Sequence, residues 1–215
     1  MNILIYGDSN TFGQIPNIEG YSKNAKIARY NKEQIWWYPL TQNHNVIVDG
    51  LPGRAINNDN PWLPKRNAMS TITKDIKNIN PDLIIIQLGT NDCKSMFELS
   101  AAEIAKNLQI FIKKILNKTP KSKIFVLGPV IIKEGNTITN KYYAGAEKKS
   151  KELDSLYYKL CKENNYLFVS AIDAQVGEDG EHLTKLGHNK LKEKVFGVIS
   201  QMQNSKIKGR YVDVK

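Results

Sequence analysis

Short runs of apolar residues recur along the chain, and stretches with a helical spacing of apolar positions separate them. Five of these runs are rich in Ile, Val and Leu and are too short for helices; they cover residues 2–6, 45–48, 83–88, 123–127 and 166–169. Several are continuously apolar over most of their length and do not alternate with polar residues, which is typical of strands covered on both faces of a sheet. The runs therefore predict five strands of a buried sheet.

The stretches between the runs predict helices. Isoleucines are spaced by four and three residues within 70–79, and Ser100 with Glu103 forms a capping-box signature ahead of a long apolar stripe. Further helices are predicted at about 140–164 and 184–202. Strands that alternate with helices imply right-handed crossovers. The pattern therefore predicts an α/β protein with three layers, in which helices cover both faces of a mainly parallel five-stranded sheet.

The composition is that of one globular domain. The chain has 215 residues, of which 41% are hydrophobic and 24% charged, and this length buries a core without disulfides or metals. We expect a single domain over 1–203 and a basic tail at 204–215. Cys93 and Cys161 fit no disulfide or zinc spacing and indicate free thiols. Without a secretion signal or an apolar run of membrane-spanning length, we expect a cytoplasmic protein with no membrane insertion.

The net charge of +10 changes this picture little. Such a charge would suit a polyanion partner. The lysines, however, are spread over predicted helix faces and the tail instead of forming one stripe, so a solvated surface explains the same charge. We therefore expect no nucleic-acid partner.

Four polar clusters lie at the ends of predicted secondary-structure elements. They lie at residues 7–10, 49–54 and 89–92, each after a strand, and at 179–182, just before the last helix. In an open parallel sheet, ligands bind at the carboxyl ends of the strands. The topology therefore gathers all four clusters at one edge of the sheet.

These clusters contain the residue types of a site with an activated serine nucleophile. A serine hydroxyl such as that of Ser9 needs a base to remove its proton, and that base needs a third group to orient it. Asp179 and His182 are three residues apart, so one turn lets the carboxylate hold Nδ1 while Nε2 faces Ser9. Gly53 and Asn91 then offer a backbone N–H and a side-chain amide to a developing oxyanion.

Each residue taken alone has a plainer interpretation. Ser9 or Asp8 is able to cap the following helix, and Asn91 is a common turn residue. Gly53 serves a left-handed turn equally well, and a lone histidine such as His182 is more often structural. Together, in this order on one sheet edge, the residues favour the catalytic interpretation.

With these clusters, the sequence resembles the SGNH hydrolases, a branch of the GDSL esterases and lipases. The four blocks "GDSNT", "GLPGR", "GTND" and "DGEHLT" are all present in order, and "RYNKEQIW" and "LIIIQLGTNDCKSMF" are similar to the arylesterase and acyltransferase subgroup. One departure is Asn10, where the name-giving motif has Leu. The resemblance implies a flavodoxin-like SGNH hydrolase fold, with Ser9 as nucleophile, His182 as base and Asp179 as its orienter.

The resemblance also implies an oxyanion hole made by the N–H groups of Ser9 and Gly53 and the amide of Asn91, and it implies no metal and no organic cofactor. Family members hydrolyse esters and thioesters, and some transfer the acyl group to alcohols. Members of the subgroup assemble into oligomers, so a homo-oligomer is an expectation of the resemblance.

Candidates for substrate binding surround these blocks. Phe12 and Trp62 are aromatic residues that suit the wall of a small acyl pocket. Arg54 either meets an anionic substrate or braces the adjacent loop through carbonyl oxygens, and Asp8 beside the nucleophile is a further candidate. Glu181 is expected to face solvent.

The favoured function is a serine esterase that acts on a small-molecule ester with a short acyl chain, such as an acetyl ester of a carbohydrate. A thioesterase or lysophospholipase, or an acyltransferase, on the same triad is the enzymatic alternative. A non-catalytic flavodoxin-like module that binds a phosphorylated ligand is the alternative from another class; phosphate binding requires neither Asp179 nor His182.

Overall fold

Five parallel strands form one sheet in the computed structural model, which describes residues 1–17, 27–61 and 63–204. The strands are β1 Asn2–Gly7, β2 Asn45–Gly50, β3 Leu83–Gln87, β4 Lys123–Leu127 and β5 Leu167–Val169. They lie in the order β2-β1-β3-β4-β5, and every neighbouring pair is parallel. The five predicted strands are confirmed and differ from the observed ones only at their ends.

In the described part of the chain, six α-helices connect or follow the strands. They are α1 Ser9–Phe12, α2 Ala68–Asp75, α3 Ala101–Leu116, α4 Thr137–Tyr142, α5 Ala146–Asn164 and α6 Lys185–Asn204. Short 3-10 helices lie at Lys32–Gln34, Tyr38–Gln42, Asn91–Cys93 and Ser95–Phe97. The predicted capping box is confirmed, because the N–H of Glu103 donates to Ser100 Oγ at 3.2 Å and the N–H of Ser100 donates to the Glu103 carboxylate at 2.8 Å.

The single helix predicted over 140–164 is wrong. The chain forms α4, leaves the helical path at Tyr143 and starts α5 only at Ala146. The intervening Gly145 has φ 78°, in the left-handed region that a continuing right-handed helix does not allow. The break matters for the site, because it turns Tyr143 towards the loop before α6.

Two apolar layers cover the sheet, one on each face. Leu4 and Tyr6 of β1 pack in the cluster that includes α2, α3 and α5, whereas Ile3 and Ile5 pack in the cluster that includes α6 and Trp36. The alternation follows from the strand period, which sends successive side chains to opposite faces. The predicted fold class is confirmed as a three-layer α/β structure.

The strand order places the polar clusters together. β1 lies between β2 and β3, so the loops after these strands diverge around a switch point at the carboxyl edge. α1 packs closely on the end of β2: a Cβ at Gly50 would lie 2.4 Å from the backbone nitrogen of Phe12. The domain boundary at 203 stays a prediction, since residues 205–215 lie outside the described part of the chain.

Candidate active site

Ser9 is the first residue of α1 and comes two residues after the end of β1. Asp8 caps this helix, with an extended backbone and a side-chain Oδ1 that accepts the N–H of Asn10 at 2.9 Å. The helix lasts only four residues and ends at Gly13, where φ is 85°. This short turn holds the Ser9 hydroxyl at the carboxyl edge of the sheet.

His182 connects Ser9 to Asp179 through both of its ring nitrogens. Nε2 lies 2.9 Å from Ser9 Oγ, and Nδ1 lies 2.7 Å from Asp179 Oδ2. An ionised carboxylate only accepts hydrogen bonds, so Nδ1 carries the hydrogen and Nε2 is free to accept the hydroxyl proton of Ser9. This row of hydrogen bonds is able to move a proton away from Ser9.

Asp179 is held as a carboxylate in a fully buried position. Besides the ring of His182, its oxygens accept the backbone N–H groups of Asn17 at 2.9 Å, Glu181 at 3.1 Å and His182 at 3.0 Å. Burial alone would raise the pKa of Asp179, but the hydrogen bonds and charge of His182 and these backbone donors outweigh it, so the pKa is lowered. The group stays negative and orients the imidazole.

Burial alone would likewise lower the pKa of His182. The negative charge of Glu181 and the hydrogen bond to Asp179 more than offset this effect, so the pKa of His182 is raised above its ordinary value. A raised pKa stabilises the imidazolium that forms when the ring accepts a proton. The environment therefore strengthens His182 as a base.

The loop after β2 is hydrogen-bonded to the turn after β3. The N–H of Arg54 donates to Leu51 O at 3.0 Å across a tight turn, in which Gly53 has φ 81° at the position that favours glycine. Asn91 opens the 3-10 turn after β3, and its Nδ2 donates to Arg54 O at 3.1 Å. Gly7 O accepts from Leu51 N at 3.0 Å and Gln87 O accepts from Asp8 N at 3.3 Å, so hydrogen bonds join the ends of β1, β2 and β3.

Neither a metal cluster nor a membrane helix is found in the described ranges. Within residues 1–17, 27–61 and 63–204, no group of three or more His, Cys, Asp or Glu side chains is arranged to hold a metal ion. In the same part of the chain, every helix is too short or too polar to cross a membrane.

Comparison with known proteins identifies the family. The profile of the GDSL-like lipase/acylhydrolase family matches residues 5–190. The chain belongs to this family. A search of curated proteins finds no significant match.

Solved structures of GDSL-like hydrolases extend this result. The aryl esterase of M. smegmatis is 26% identical, covers 93% of this chain and 98% of its own, and superposes with a TM-score of 0.83. Est24, a carbohydrate acetylesterase from Sinorhizobium meliloti, is 29% identical over 92% of this chain and 99% of its own, with a TM-score of 0.78. The SGNH resemblance is thereby confirmed, and the chain is a carboxylic ester hydrolase.

The structure contradicts a substrate-binding role for Arg54. One guanidinium nitrogen donates to Gly7 O at 2.9 Å and Asp49 O at 2.7 Å, and another donates to Asp49 Oδ1 at 2.8 Å. The group also stacks on the ring of Tyr6, 3.9 Å from its centroid, and the residue is only 3% exposed. Because both terminal nitrogens of the guanidinium donate to these acceptors, Arg54 braces the ends of β1 and β2.

Asp8 is also misplaced as a substrate-binding residue. Its side chain is completely buried behind the Ser9 turn and caps α1, and burial raises its pKa to about 6. Phe12 is half-buried at the end of α1, with the guanidinium of Arg29 4.6 Å from its ring centroid, and it stays a pocket candidate. The candidate Trp62 lies outside the described residues.

Two charged residues of this GDSL-like site were missed from the sequence. Glu181, expected to face solvent, is 1% exposed; it accepts a hydrogen bond from the hydroxyl of Tyr143, and burial raises its pKa to about 7. Lys94 is buried as well, and its Nζ donates to Asn91 Oδ1 at 2.9 Å. The spacing of three between Asn91 and Lys94 was a signal; nothing in the local sequence marks Glu181 as buried.

Proposed function

We propose that this GDSL-like hydrolase is a serine esterase that cleaves short-chain acyl esters through an acyl-enzyme intermediate. Ser9 is the nucleophile, His182 the general base and Asp179 the group that orients the base. The observation that carries the proposal is the row of hydrogen bonds from Ser9 Oγ to His182 Nε2, at 2.9 Å, and from His182 Nδ1 to Asp179, at 2.7 Å.

The reaction begins when Ser9 Oγ attacks the ester carbonyl and His182 Nε2 accepts the hydroxyl proton. The N–H groups of Ser9 and Gly53 and the Nδ2 of Asn91 stabilise the oxyanion. The tetrahedral species then collapses: the C–O bond to the alcohol breaks, and the alcohol oxygen takes the proton from His182. A water molecule, deprotonated by His182, attacks the acyl-enzyme, and the carboxylic acid leaves as Ser9 regains its proton.

We propose short acyl chains as substrates, with acetyl esters of carbohydrates or similar small metabolites as the favoured class. Structures of an aryl esterase and a carbohydrate acetylesterase are similar to this chain, which supports small substrates. Each buried methylene contributes about 0.8 kcal/mol and only where an apolar wall receives it. The stretch at 51–67 is rich in Asn, Pro and charge, so it offers few aliphatic side chains for such a wall.

The test is a panel of p-nitrophenyl esters from acetyl to octanoyl, beside acetylated sugars, with wild type, Ser9→Ala and the control Ser70→Ala. Ser70 is exposed in the first turn of α2, and its hydroxyl donates to Asn67 O at 2.9 Å instead of to a histidine. We expect acetyl and propionyl esters to be preferred, and turnover to be lost only in Ser9→Ala, by on the order of a millionfold. Rates that rise from acetyl to octanoyl would favour a lipase or long-chain thioesterase instead.

Other expectations stay predictions. These are a cytoplasmic location, a homo-oligomer, a small-molecule ester as the substrate, no membrane insertion, and no binding of nucleic acid. The last has a direct test, since nucleic-acid binding by a basic surface would weaken steeply with added salt.

A further inference from the structure

Lys94 lies behind the amide of Asn91 and is itself buried, with only 6% of its surface exposed. Its Nζ donates to Asn91 Oδ1 at 2.9 Å. An ammonium group has donors only, so it fixes the oxygen end of the amide towards Lys94 and the nitrogen end away from it. Asn91 Nδ2 then donates one hydrogen to Arg54 O, at 3.1 Å. An amide nitrogen carries two hydrogens, so a second N–H remains on Nδ2.

Burying an ammonium group costs free energy because the charge loses its hydration. Lysine side chains usually bury the aliphatic stem and keep the charged group in water. Here burial lowers the pKa of Lys94 to about 8, while the negative charges of Asp8 and Asp92 act in the opposite direction. The ring of Tyr143 lies 5.6 Å from Nζ on another side. The charged group is therefore enclosed against Asn91, where a neutral side chain would have been less costly to bury.

We propose that Lys94 is a positioning residue of the oxyanion hole, which orients the Asn91 amide and increases its strength as a donor. The positive charge on the oxygen end draws electron density from the amide, and its N–H groups then donate more strongly to an anion. The proposal depends on the proposed function, in which Asn91 stabilises the oxyanion. Because that negative charge develops only in the transition state, Lys94 acts on kcat and hardly on KM.

The experiment is a double-mutant cycle on the full chain with p-nitrophenyl acetate. Lys94→Met removes the charge and the donor, and Lys94→Gln keeps a neutral donor; each is made in wild type and in Asn91→Ala. Lys114→Met is the matched control, since Lys114 of α3 is half-buried and donates to Met69 O at 2.6 Å. Circular dichroism monitors folding of every variant.

We expect Lys94→Met to lower kcat by about 10- to 100-fold, part of the roughly 100- to 1000-fold effect of removing an oxyanion donor. Lys94→Gln should lie between wild type and Lys94→Met. In the Asn91→Ala background, both Lys94 variants should change kcat by less than about twofold, because a residue that acts through Asn91 has no effect without it. Lys114→Met should leave kcat unchanged.

An equal loss in both backgrounds would show that Lys94 supports the structure only, and an unchanged kcat in a folded Lys94→Met protein would overturn the proposal outright. If Lys94→Met does not fold, Lys94→Gln carries the same cycle. Failure of the proposed function would look different: Asn91→Ala alone, with Lys94 intact, would then keep wild-type turnover.

Discussion

Asn10 links the nucleophile turn to the loop that carries His182. Its Nδ2 donates to Glu181 O at 3.0 Å, and its Oδ1 accepts the N–H of Leu183 at 2.9 Å. These two backbone groups belong to the neighbours of His182 on either side, and Asn10 is 1% exposed. We predict that Asn10→Ala lowers both the free energy of unfolding and kcat.

The size of both effects follows from what the substitution removes. It leaves one buried carbonyl and one buried N–H without their partner, and each such group costs about 1–3 kcal/mol, so the free energy of unfolding should fall by about 2–6 kcal/mol. The loop is also released, and since a displacement of 1 Å is able to reduce a rate by about 100-fold, we expect kcat to fall by about 10- to 100-fold. Asn10→Leu restores volume but neither hydrogen bond, so it should remain destabilised.

Urea unfolding, followed by tryptophan fluorescence, measures the free energy of unfolding, because Trp36 and Trp37 are buried in the core. Asn45→Ala is the control: Asn45 is exposed, and its Nδ2 donates to Asn2 Oδ1 at 3.1 Å, so its loss should stay within about 0.5 kcal/mol. An Asn10→Ala protein as stable as the control, with wild-type kcat, would refute the idea that this amide holds the two loops together.

Three further substitutions test the site. Glu181→Gln removes the negative charge that helps to raise the pKa of His182. His182 should then stay neutral at more acidic pH, so the acid limb of the kcat/KM profile should move to lower pH. A limb that stays or moves upward would contradict this sign. Arg54→Lys loses the planar fork that bonds three acceptors, so the free energy of unfolding should fall by about 2–4 kcal/mol; the ratio of kcat/KM for neutral and anionic esters should not change, and a changed ratio would restore its substrate-binding role. Asn91→Ala should lower kcat by roughly 100- to 1000-fold with little effect on KM, whereas a change confined to KM would make Asn91 a substrate-binding residue.

The positions of the five strands along the chain were predictable because each strand is a short, mostly apolar run. A strand buried on both faces needs this composition whatever its neighbours are, so local sequence carries the signal. The break between α4 and α5 was also visible, in Gly145 within an otherwise helical pattern. It was missed because isolated glycines are tolerated in helices and the apolar stripe of α5 dominated the prediction.

The contacts and burial of the residues around the site were harder to predict than the identity of the site residues. Arg54 has polar partners at the ends of β1 and β2, and only the fold decides between those partners and a substrate. Glu181 sits in a polar loop and lies next to a histidine, which favours an exposed position. It is buried because Tyr143, 38 residues earlier, reaches it from the α4–α5 break. Contacts of this kind depend on tertiary packing and leave no local pattern.

Covalent labelling is the most direct test of Ser9 as the nucleophile. Wild type, Ser9→Ala and Ser70→Ala are treated with diethyl p-nitrophenyl phosphate, and intact-protein mass spectrometry and peptide mapping follow the adduct while turnover of p-nitrophenyl acetate is measured. We expect one diethylphosphoryl group on Ser9 and a loss of turnover in step with its formation. Ser70→Ala should behave like wild type, and Ser9→Ala should show neither adduct nor turnover. An adduct on another residue that accompanies the loss of turnover, or a Ser9→Ala protein that still hydrolyses the ester, would contradict this assignment.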